Sequence, residues 1–118
     1  MNLNWQKCTG NKWCSFKGLD LDNNHFNHME GIYIIWHTGN PGKVVYVGQG
    51  EIATRIKDHR DNPEITKHES SRSLQVTWAK VSSQYLDGIE KYLADTWKPL
   101  AGDAWPDATP ISVNSPWE

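Results

Sequence analysis

The stretch GIYIIWH, residues 31–37, is followed after the turn-rich TGNPGK by VVYVGQG, residues 44–50. β-Branched and aromatic residues fill both runs, and Gly, Asn and Pro between them favour a tight reversal, so the spacing predicts a β-hairpin. Strand alternation puts Tyr33, Ile35 and His37 on one face and Ile32, Ile34 and Trp36 on the other. With Thr38 to Pro41 as the loop, His37 pairs with Gly42 and Tyr33 stands opposite Tyr46. Aromatic cross-strand pairs are ordinary sheet stabilisers, so the two phenols alone are compatible with packing and no chemistry.

The elements after the hairpin constrain the class. Ile52 to Asp61 has helical composition and ends at Asn62-Pro63, where the ring cannot continue a helix. Residues 73–81 alternate Leu74, Val76 and Trp78 with Gln75 and Thr77, the period of a further strand. Ser82 or Ser83 can cap a second helix that runs to about Trp97 and stops before Pro99. This order predicts an α+β domain with a small, three-stranded, mainly antiparallel sheet flanked by helices. Residues 1–30 read as an N-terminal extension packed on the domain, 31–102 as the module itself and 103–118 as a C-terminal tail rich in Pro, Asp and Ser.

A chain of 118 residues fits one domain, and its seven Trp, four Tyr and two Phe supply bulky core material. A net charge of −2 gives no global attraction to nucleic acid or an anionic membrane, so any such partner needs a local patch. The start MNLNWQKC lacks a basic and apolar leader, and no apolar run is long enough to span a bilayer. The expectation is a cytoplasmic protein with no membrane partner, in which Cys8 and Cys14 are reduced thiols unless they hold a metal.

Candidate chemistry comes from polar groups inside apolar stripes. On a wheel of the second helix, Glu90 falls within the stripe of Leu86, Ile89, Leu93 and Trp97, where a carboxylate is costly unless a cation, donor or metal meets it. On the first helix, Arg55 and His59 flank the stripe of Ile52 and Ile56. Two phenols, a guanidinium, an imidazole and an acid are thus expected on one side of the sheet. A buried Arg55–Glu90 pair without chemistry accounts for part of this set. Gly48 and Gly50 bracket Gln49 at the strand-to-helix junction, where backbone could approach a phosphate at the helix N-terminus.

Gly31-Ile32-Tyr33 and Tyr46-Val47-Gly48 together resemble the two signatures of the GIY-YIG nuclease family, with Val in place of the usual Ile. Arg55, His59 and Glu90 stand where that family has an Arg, a His or Tyr one turn later, and a helical acid. The resemblance covers about Gly31 to Gly102. It implies hydrolysis of phosphodiester bonds, most directly in DNA, with one divalent cation, Mg²⁺ or Mn²⁺, held by Glu90. It further implies charge neutralisation by Arg55, activation of water by Tyr33, positioning by Tyr46 and His59, and substrate contact at Gly48, Gln49 and His68. The family often has Asn three residues after a Pro near the module's end; after Pro99 this chain has Gly102, with Asp103 next to it.

Alternatives remain. Cys8, Cys14, His25 and His28 offer a zinc donor set at spacings unlike those of common fingers. From Arg55 to Arg72 there are five Lys or Arg against four Asp or Glu, no basic stripe. A nuclease with this balance needs a targeting partner or self-association for affinity. The same features fit a catalytically silent nucleic-acid- or protein-interaction module that keeps the fold, or a structural protein with a buried polar network.

Overall fold

The computed structural model describes residues 1–38, 42–70, 73–102 and 105–117. Its strands are β1 (Cys14–Ser15), β2 (Glu30–His37), β3 (Val44–Glu51) and β4 (Leu74–Lys80), and its helices are α1 (Ile52–Arg60), α2 (Pro63–Thr66) and α3 (Ser83–Trp97). The class is α+β, but the antiparallel sheet has four strands in the order β1-β4-β2-β3, one more than expected. The extra strand comes from the N-terminal extension, where Cys14 and Ser15 pair with Val76 and Gln75. A two-residue strand is too short to show alternation, so its sequence carries no strand signal.

The hairpin register also differs from expectation. Tyr33 pairs with Gly48 and Ile35 with Tyr46, two residues along from the expected pairing: the reversal is one residue longer, with His37 meeting Lys43 in place of Gly42, and a bulge between Ile35 and Trp36 leaves Val45 as an extra residue on β3. The strands then close through the His37 N–H and the Lys43 carbonyl, 2.8 Å apart. Gly39, Asn40 and Pro41, the expected turn residues, lie outside the described residues. Tyr33 and Tyr46 are therefore diagonal neighbours on one face, with ring centroids 6.2 Å apart and planes at 19°.

The sheet separates two apolar layers. On one face Tyr33, Ile35 and Val76 pack with Ile52 and Ile56 of α1, Ile65 of α2, and Phe16 and Phe26 from the extension. On the other, Ile32, Ile34, Trp36 and Val47 meet Leu86, Ile89 and Leu93 of α3. Both ends of the chain reinforce this second layer. Asn114 accepts from the Leu3 N–H at 2.6 Å and donates to the Leu3 carbonyl at 3.1 Å, and Trp117 packs on Trp36 and Trp97. The tail crosses α3 at Gly88, where a Cβ would come within 2.6 Å of the Ile111 side chain.

Cys8 and Cys14 form a disulfide, which corrects the expectation of reduced thiols. Gly10 and Asn11 both have positive φ, 77° and 57°, and fold the loop back so that Cys8 and Lys12 bridge and the two sulfurs meet. Among the described residues no helix is long and apolar enough to cross a membrane.

Candidate active site at the edge of the sheet

β3 is the edge strand, and α1 follows it without a loop, with Glu51 as its N-cap. Residues four apart on α1 share a face, so Arg55 and His59 both turn towards Tyr33. The Tyr33 hydroxyl lies 2.5 Å from His59 Nε2 in a buried contact, and the Arg55 charge lies close enough to act on the same phenol. Tyr46, half-buried, packs its ring 4.5 Å from that of His59.

Gly31 and Gly48 have structural causes. At Gly31 a Cβ would collide with the Ala79 carbonyl of β4. At Gly48 it would overlap Tyr33 Oη and Cζ and lie 2.9 Å from Tyr46 Cε1. The space at the Gly48 Cβ position is thus taken by the Tyr33 phenol, which gives this glycine a structural cause independent of any substrate. Gly48→Ala is expected to push Tyr33 off His59 and to cost about 1–3 kcal/mol, the usual penalty for overpacking. Chemical denaturation reads the loss, and loss of the Tyr33-dependent shift in the His59 imidazole signals reads the displacement.

Glu90 is not on the Tyr33 side as expected. It sits on α3, which packs on the opposite layer, and is near enough for its charge to be felt at Tyr33 and for the Arg55 charge to be felt at Glu90. A helical wheel shows which face of a helix is buried, but not which face of the sheet buries it. Glu90 is only 8% exposed, and Gln49 lies close enough to oppose the rise in its pKa. Gln49 Nε2 donates to Asp87 Oδ1 at 2.7 Å, so the amide lies beside two acids one turn apart on α3. Asp87 is a neighbour that the sequence reading missed; its place three residues before Glu90 is the signal that could have found it.

The electrostatics follow from burial. Removal from water drives the Tyr33 phenol well above its ordinary range, against the lowering effect of Arg55. Burial first, and the Arg55 charge second, hold His59 down to about 4, so its ring is neutral at pH 7. With His59 neutral, the Tyr33 O–H donates and Nε2 accepts. Burial raises Glu90 above the ordinary carboxylate range, with Asp87 adding to the rise and Gln49 and Arg55 opposing it. Tyr33 is the largest cause holding Arg55 in its charged form. Among the described residues, the buried Arg55 Nε has no hydrogen-bond partner.

His59 yields a pH prediction. Its folded value lies below its unfolded value, so its contribution to stability is present above about 6.5 and is lost as pH falls towards about 4. His59→Gln should remove that component of the pH dependence, read as the wild-type-minus-variant difference in urea unfolding across that window.

No family model, curated protein or solved structure matches this chain. Its own geometry brings together Tyr33, Tyr46, Gly48, Gln49, Arg55, His59 and Glu90. His68 lies elsewhere, its ring 5.9 Å from that of His37 at the hairpin end of β2. The zinc donor set is not assembled: Cys8 and Cys14 are bonded to each other, and His25 Nε2 accepts from Trp78 Nε1 at 3.1 Å. At the N-terminus of α1, where a phosphate was expected, Glu51 places its own carboxylate, bonded by the Thr54 hydroxyl at 2.5 Å. A cleft of about 450 Å³ lies beside Lys7, His25 and Trp78, and one of about 320 Å³ beside Asn27, Glu51 and Lys57; neither is lined by the cluster.

Proposed function

We propose that this chain is a GIY-YIG-type, metal-dependent endonuclease that hydrolyses phosphodiester bonds of nucleic acid, DNA in the first instance. The observation that carries the reading is convergence: Tyr33 Oη contacts His59, and the Arg55 charge acts on Tyr33, on His59 and on Glu90, which comes from the helix on the opposite layer. Packing alone does not require these groups at one edge, since each is costly to bury.

Mg²⁺ or Mn²⁺ fits the donor set. Among the described residues no three His, Cys, Asp or Glu side chains converge, but Mg²⁺ is commonly held by one or two carboxylates with water and substrate phosphate completing its shell. Glu90 would hold the ion, with Asp87 nearby, and the ion would supply Lewis-acid polarisation of the phosphate and stabilisation of the leaving oxygen.

The protein groups divide the remaining work. Arg55 presents its guanidinium to the phosphoryl oxygens as charge builds on them. Tyr33 is a positioning residue: its hydroxyl fixes the His59 tautomer. Burial holds it protonated, which argues against a Tyr33 phenolate as base. Tyr46 is the phenol with solvent access and the one placed to orient attacking water. Gln49 holds Asp87 through its amide.

The proposal includes a cytoplasmic location, and a targeting partner or self-association to supply the affinity that balanced charge does not. A cytoplasmic thiol pool would open the Cys8–Cys14 bond, so the disulfide weighs against the cytoplasmic part of the proposal. The test is incubation of the folded protein with supercoiled plasmid and with branched DNA, with Mg²⁺, with Mn²⁺ and with chelator. Metal-dependent nicking supports the reading.

A specific observation favours a second reading, the catalytically silent module. Tyr33 is fully buried and the cluster opens into neither cavity. Nucleic-acid or protein binding without cutting under any metal condition would favour it.

A further inference from the structure

The tail beyond α3 brings one more ring to this edge. The Trp105 ring lies 5.9 Å from that of Tyr46 at 54°, and Trp105 is half-buried. Gly102 makes the approach possible: its φ is +88°, and a Cβ there would come within 3.0 Å of Trp105 Cη2 and 3.1 Å of Tyr46 Cε2. Just before it, the Leu100 and Ala101 N–H groups bond the Val44 and Val45 carbonyls, which ties the tail to the exposed side of β3. The rings therefore run from buried Tyr33 to Tyr46 and on to Trp105, the last two both half-buried.

A polyanion finds no net attraction in this chain. Arg55 acts on Tyr33 and on Glu90, Asp87 stands beside Glu90, and the chain carries a net charge of −2. Phosphate contacts are therefore a weak source of affinity here. Stacking of bases on aromatic rings is the other general source, it tolerates any base sequence, and it requires a base free of its own stack.

We propose that Trp105, backed by Tyr46, is a stacking platform for an unpaired base beside the scissile phosphate, so that the substrate class is DNA with unpaired nucleotides, not continuous duplex. This rests on the nuclease reading of the site. Trp105 acts on substrate choice and has no part in the chemistry of cleavage.

The test uses the full chain and short oligonucleotides carrying 2-aminopurine in an unpaired segment or inside a duplex, with binding followed in chelator and cleavage in Mg²⁺. Wild type is compared with Trp105→Leu, which keeps apolar cover on Tyr46 but has no π-face, and with Trp105→Phe, which restores one. Thermal unfolding shows that each variant is folded, and Trp105→Met stands in for Leu if needed. The expected result is tighter binding of unpaired DNA by wild type with quenching of the 2-aminopurine, an about tenfold weaker affinity for Leu on that substrate alone, and recovery with Phe. Equal wild-type affinity for duplex and unpaired DNA overturns the proposal whatever the variants do. So does a folded Leu variant with unchanged affinity and quenching. Metal-dependent cutting insensitive to Trp105 removes the platform and leaves the nuclease. Trp105-dependent binding of unpaired DNA without cutting keeps the platform and removes the nuclease.

Discussion

Arg55→Ala is expected to lower cleavage by about 10³-fold while the sheet stays folded, the scale of losing one preorganised donor to developing charge. The effect is large because Arg55 is at the centre of the cluster's electrostatics. Its charge opposes the burial-driven rise of Tyr33 and of Glu90, and it lowers His59. Its stem rests on Gly50, at 3.3 Å from where a Cβ would stand, which aims the guanidinium at the site. The same substitution moves an independent reporter: with the Arg55 charge gone, the His59 titration should rise from about 4, though burial keeps it below the free imidazole value. NMR of the imidazole protons measures this without any substrate. Arg55→Lys keeps the charge but not the forked donors, and should restore the His59 titration more fully than the activity. An unchanged His59 titration in the Ala variant would contradict this electrostatic account.

Glu90→Gln separates catalysis from stability. Cleavage should fall by about 10³-fold or more, because the several kcal/mol of transition-state stabilisation that a bound divalent cation provides is lost with its ligand. Folding stability should move the other way. Burial raises the folded pKa of Glu90 above its ordinary 4.5, so its contribution to stability is present in acid and is lost as pH rises through the folded value. Gln resembles the protonated side chain. The variant should therefore be at least as stable as wild type at neutral pH, with the gap closing in acid. A structural network predicts the reverse at neutral pH, a destabilised variant. Urea unfolding at neutral and acid pH, run beside Mn²⁺ binding by electron paramagnetic resonance, distinguishes the two.

The sequence reading was strongest where local chemistry dictates local structure. β-Branched runs on either side of a Gly- and Pro-rich turn predict the hairpin, and the wheel placed Arg55, His59 and Glu90 inward because buried stripes repeat with the helical period. It failed where distant parts of the chain decide. The bulge between Ile35 and Trp36 and a reversal one residue longer than expected together set Tyr33 opposite Gly48 and not Tyr46, and neither has a signature in those residues. The layer occupied by α3, and hence the side from which Glu90 comes, is a property of topology. The Cys8–Cys14 bond depends on a turn with Gly10 and Asn11 at positive φ, and the spacing alone fits free thiols equally well. At Gly48 the sequence shows a missing Cβ but not what fills the space, which is the Tyr33 phenol. Trp105 escaped notice because nothing before the fold links it to Tyr46.

The most direct test is single-turnover cleavage of branched DNA in Mg²⁺ by wild type and Glu90→Gln side by side, each first shown to unfold cooperatively. The account predicts metal-dependent phosphodiester hydrolysis by wild type and its loss in an equally stable or more stable variant. Folded wild-type protein that cuts no substrate in Mg²⁺ or Mn²⁺, or a variant that cuts as fast as wild type, would contradict it.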